Sequence, residues 1–73
     1  EIAIAVVNKL ITHNFKGIES IFTKEKLIKE LLERGYNTES IDTIIINIPR
    51  VYKQCGWNVE ETKTGFIFTE LLN

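Results

Sequence analysis

The sequence predicts a small α+β domain: three helices, a short strand between the first and second helices, and a C-terminal β-hairpin. Three observations carry that expectation. Apolar residues recur at helical spacing in three separate stretches, and capping residues fence the stretches off. The tail switches to strand formers on either side of a glycine-containing turn. Finally, 73 residues with 44% hydrophobic and 26% charged side chains suit one globular domain over residues 1–73, neither two domains nor a disordered chain.

In the first helix, about residues 2–13, Ala3, Val6, Val7 and Leu10 follow the i, i+3, i+4, i+7 template, and Ile2 and Ile11 widen the stripe. His13 suits the negative end of the helix dipole, and Asn14 suits a left-handed exit. Lys16-Gly17 reads as a turn. Ile18 to Phe22 is β-branched and aromatic, which predicts a brief strand. Thr23 is an N-cap with Glu25 in the first turn, so the second helix runs over 24–34. Its stripe of Leu27, Ile28, Leu31 and Leu32 is expected to pack against Ile41, Ile45 and the first helix. Gly35 stands where a left-handed glycine ends a helix.

Gly35-Tyr36-Asn37-Thr38 makes a tight connection, with Thr38 as the expected N-cap of a third helix over about 39–55. Ile41, Ile44, Ile45, Ile48 and Tyr52 recur at helical spacing. Ile44-Ile45-Ile46 would also suit a strand. The polar residues Asp42, Thr43, Asn47, Arg50, Lys53 and Gln54 all fall off the isoleucine face, which favours the helix. Pro49 removes a backbone donor and disfavours helical geometry at Ile48. Two geometries remain open there: a kink, or a new short helix with Pro49 at its first position. Gly56 closes the segment.

In the tail, Trp57-Asn58-Val59-Glu60 alternates apolar and polar residues, and Phe66-Ile67-Phe68-Thr69 is rich in strand formers. Thr62-Lys63-Thr64-Gly65 joins them, with Gly65 suited to a positive φ. Trp57 and Phe68 are expected to be largely buried, and Leu71 and Leu72 to tuck onto the core. A chain this short cannot spare Trp57, Phe66 and Phe68 as stacking platforms for single-stranded bases.

Composition removes several function classes. Nine basic and ten acidic residues give a net charge of −1, which excludes a strongly basic, histone-like binder but allows a local basic patch. One cysteine permits no internal disulfide, and one cysteine with one histidine cannot build a zinc site from Cys and His alone. Cys55 has no His or acid near it in sequence and reads as a small buried hydrophobe. No catalytic constellation stands out, so neither an enzyme nor a cofactor is expected. No apolar run approaches the ~18–20 residues of a membrane span. Ile2 to Val7 is too short and lacks the basic leader of a signal peptide. The lone cysteine fits a reducing, cytoplasmic compartment. The chain starts at Glu1 and has no Met, and so reads as a piece of a longer polypeptide.

The order helix, short strand, helix, tight turn, helix, hairpin resembles the winged-helix family. The second helix, the turn at Gly35–Thr38 and the third helix resemble its helix-turn-helix, and Trp57–Thr69 resembles its wing. The resemblance implies a DNA-binding domain of a larger transcription regulator or replication-initiation protein, cytoplasmic or nucleoid-associated. The third helix would lie in the major groove, with the wing on the backbone. A substantial minority of the family are protein-interaction modules, which is the alternative.

With the third helix taken as straight, at 100° per residue, the face opposite the isoleucines holds Glu39, Thr43, Ile46, Asn47, Arg50 and Gln54, with Lys53 at its edge. Arg pairs bidentately with guanine, Asn and Gln with adenine, and Thr and Ile touch a thymine methyl. Candidate DNA-binding residues are therefore Thr43, Asn47, Arg50, Lys53, Gln54 and, at the wing tip, Lys63. Other cations near the expected interface are Lys16, Lys24 and Lys26. Against DNA stand Glu39 and Asp42, explained by the helix dipole, and Glu60 and Glu61 on the wing. Ile46 is out of place on a polar face. It could meet a partner protein, another copy of the domain or the rest of the parent polypeptide, or it could signal a slip of the helical register after Pro49.

Overall fold

The computed structural model describes residues 4–70. The elements run α1 (Ile4–His13), β1 (Phe15–Lys16), β2 (Glu19–Thr23), α2 (Lys24–Glu33), α3 (Thr38–Gln54), β3 (Trp57–Glu61) and β4 (Gly65–Glu70). The strands form one antiparallel sheet in the order β1-β2-β4-β3. The domain is thus α+β with a hairpin at the end, as the sequence predicts; the strand expected between the first two helices is β2, and the two-residue β1 precedes it. Ile2, Ala3, Leu71 and Leu72 lie outside the described residues.

The core collects one face of each element. Val6, Val7, Leu10 and Ile11 come from α1, Leu27 and Leu31 from α2, and Ile41, Ile44, Ile48 and Tyr52 from α3. The sheet adds Phe22, Val59, Phe66 and Phe68, whose rings meet at centroid distances of 5.4 Å for Phe22–Phe68 and 5.3 Å for Tyr52–Phe68. Ile28, Ile45 and Trp57 are half-buried at its margin. Ser20 is the buried polar side chain among the described residues, and its hydroxyl donates to the Ile11 carbonyl at 2.9 Å. That carbonyl lies in the last turn of α1, where no helical amide follows to satisfy it.

Helix ends follow their caps. The Thr23 hydroxyl accepts from the Lys26 amide at 3.1 Å, and Gly35 takes φ 92° after α2. The cap of α3 is Asn37 and not Thr38: its side-chain oxygen accepts from the Ser40 amide at 2.8 Å. Asn37 is still extended while Thr38 is already helical, and a cap must be the last non-helical residue. α3 is one helix through Pro49, ending at Cys55 as cap and Gly56 at φ 95°.

Several expectations are corrected. Asn14 does not take a left-handed exit. No described residue other than glycine has positive φ, and Asn14 closes α1 through bonds from its backbone amide and its side chain to the Leu10 carbonyl. The first turn is Gly17-Ile18 and not Lys16-Gly17. Lys16 belongs to β1, which pairs with Glu19 and Ser20, and β2 starts one residue later than the sequence suggests. Leu32 is 54% exposed. Successive helical residues are 100° apart, so burying Leu31 with Leu27 carries Leu32 to the edge of the stripe. Cys55 is exposed because it caps α3 one residue beyond the helix's last turn, past the residues that pack on the core. Trp57 is half-buried on the edge strand β3, between Phe15 and Phe68. Gly65 is needed for closeness and not for positive φ. It pairs with Thr23, and a Cβ there would collide with the Phe22 carbonyl oxygen and lie 2.7 Å from the Thr23 Cα.

Candidate nucleic-acid interface

The buried stripe of α3 fixes what its other side presents. With Ile41, Ile44, Ile48 and Tyr52 inside, Thr43, Ile46, Arg50, Lys53 and Gln54 are exposed and Asn47 is half-exposed. The helix is continuous through Pro49, and the burial period carries across it: Ile44, Ile48 and Tyr52 stay inside while Thr43, Ile46, Arg50 and Gln54 stay outside. Tyr52 anchors the opposite side. Its hydroxyl donates to Asn8 on α1 at 2.7 Å, and burial, with the neighbouring Cys55 adding to it, pushes its pKa up to about 12.

The exposed face is hydrogen-bonded along its length. The Thr43 hydroxyl donates to the Glu39 carbonyl at 3.2 Å. Asn47 Nδ2 donates to the Thr43 carbonyl at 2.8 Å, and Asn47 Oδ1 accepts from the Arg50 guanidinium at 2.8 Å. The i, i+3 and i, i+4 spacings of Thr43, Asn47 and Arg50 allow this chain. Residue types alone suggest three independent side chains, and the coupling between them is what that reading misses.

Lys63 is exposed in the hairpin turn at 62–64. The turn is held by the Thr62 amide on the Gly65 carbonyl and the Gly65 amide on the Thr62 hydroxyl, at 2.8 and 2.9 Å. The Lys24 amide donates to the Thr64 carbonyl at 2.8 Å, which brings the hairpin tip beside the start of α2. Lys24 itself is engaged: its ammonium pairs with Glu61 at 2.6 Å and stands 5.7 Å from the Phe66 ring centre. A wing acid therefore neutralises one of the expected cations, leaving Lys63 as the hairpin's own cation.

Elsewhere, a cleft of about 420 Å³ lies among His13, Asn14, Phe15, Lys16, Glu19 and Ile21, built from the end of α1 and the β1–β2 hairpin. It includes none of the candidate residues. No cluster of metal-ligating side chains occurs among the described residues, and no described helix is long and apolar enough to cross a membrane. Comparisons with protein-family models, curated proteins and solved structures find no match to this chain.

Proposed function

We propose that this chain is a winged-helix DNA-binding domain of a larger transcription-regulating or replication-initiating protein, working in the cytoplasm or nucleoid without catalysis. The observation that carries the reading is the outer face of α3. One continuous helix offers Thr43, Asn47, Arg50 and Gln54, with Lys53 at the edge, and spends none of them on the core. The antiparallel pairing of β2 with β4, and of β4 with β3, supports the resemblance beyond element order. In this reading α3 enters the major groove, Arg50 reads a guanine, and Lys53 and Lys63 contact phosphates.

A second reading, a protein-interaction module, is favoured by the charge balance. The net charge is −1, and Glu61 neutralises Lys24 beside the wing. Fluorescence anisotropy with duplex DNA at two salt concentrations separates the readings. DNA binding predicts weak affinity that falls steeply with salt, because phosphate contacts release counterions. Arg50→Ala then lowers discrimination between an enriched site and random duplex by about 1–3 kcal/mol, and Lys63→Ala weakens both alike. Absence of binding to any duplex at low salt leaves the interaction module.

A further inference from the structure

Ile46 is 75% exposed, more than any other large hydrophobic residue described. Nothing in the packing of α3 asks for an isoleucine there. Arg50 follows four residues later on the same face, and such pairs on a helix stand about 5–6 Å apart at Cβ. Asn47 is occupied at both ends, donating to the Thr43 carbonyl and accepting from Arg50. The two bonds orient the amide along the helix, while its second N–H and second lone pair stay open to other partners. As placed, Asn47 holds Arg50 in position, while the guanidinium retains donors for a second partner.

Resting on the duplex-binding reading above, we propose that α3 reads a guanine beside a thymine. Arg50 takes the guanine O6 and N7, Ile46 packs against the thymine C5 methyl, and Asn47 is a positioning residue for Arg50. The spacing agrees, since base pairs rise about 3.4 Å and side chains about 5–6 Å apart reach neighbouring pairs. The chemistry agrees as well: the thymine methyl is the one apolar group on the major-groove edge, and burying it covers the exposed isoleucine.

The test starts from duplexes enriched from a random pool by the full chain at low salt. Thymine is then replaced by uracil, which removes only the methyl, or guanine by 7-deazaguanine, which removes N7. The enriched site is expected to hold adjacent guanine and thymine. Uracil should weaken wild-type binding about three- to fivefold, and Ile46→Ala should abolish that difference. Deazaguanine should weaken binding about tenfold, and Arg50→Ala should remove the penalty. Asn47→Ala should weaken the wild type but change nothing once Arg50 is alanine. An enriched site indifferent to the methyl overturns the proposal while leaving DNA binding intact. So does an Asn47→Ala cost that persists in full beside Arg50→Ala. Failure to bind or enrich any duplex overturns the duplex-binding reading itself, and this inference with it.

Discussion

The two faces of α3 are made of different materials held in different ways. Inside, Ile41, Ile44, Ile48 and Tyr52 are at most 4% exposed and lock into residues far away in sequence, down to the bond from Tyr52 to Asn8. Outside, Thr43, Asn47 and Arg50 bond only to one another and to their own helix, and Ile46 touches solvent. The inner face explains why the chain folds. The outer face contributes no side chain to the core. Stability and binding should therefore separate cleanly by face.

The largest expected effect is on the inside. Ile48→Ala removes a fully buried side chain at the centre of the core and should lower unfolding stability by about 2–5 kcal/mol, read from chemical denaturation. A smaller loss would mean that the core closes around the gap. Next comes Tyr52. Its folded pKa of about 12 lies above the ordinary value of 10, so the fold favours the neutral phenol. That contribution is complete below pH 10 and is lost as pH rises from 10 to about 12, a fall of about 2–3 kcal/mol. Denaturation of wild type and Tyr52→Phe across that window should show the steeper decline only in wild type. The smallest effect sharpens the contrast. Thr43→Ala and Arg50→Ala, on exposed positions, should each shift stability by less than about 0.5 kcal/mol. A large loss from either would show that the outer chain of hydrogen bonds supports the fold.

Element order, both hairpin strands and the inward stripe of α3 were legible in the sequence because period and capping are local. The departures share one cause: they are settled by neighbours in space. Leu31 and Leu32 are indistinguishable by type, yet packing against the other elements buries one and leaves the other 54% exposed. Gly65 reads as a turn glycine until β4 lies against β2 and the Phe22 carbonyl occupies the place of its missing Cβ. β1, two residues long, carries too few residues for an alternation to register. At the candidate interface the residue set was readable from a helical wheel. The ties of Asn47 to Thr43 and Arg50, and of Lys24 to Glu61, depend on rotamers and on strand placement, which no wheel contains.

In the proposed function, the outer face of α3 is a binding surface for duplex DNA. Amide chemical-shift mapping during titration with a random-sequence duplex pool at low salt tests it most directly, since it reports every residue at once. Shifts are expected to concentrate at Thr43, Ile46, Asn47, Arg50, Lys53 and Gln54, with a second group around Lys63, all reversed by added salt. Shifts confined to the cleft around His13 and Ile21, or a spectrum unchanged by DNA, would contradict it.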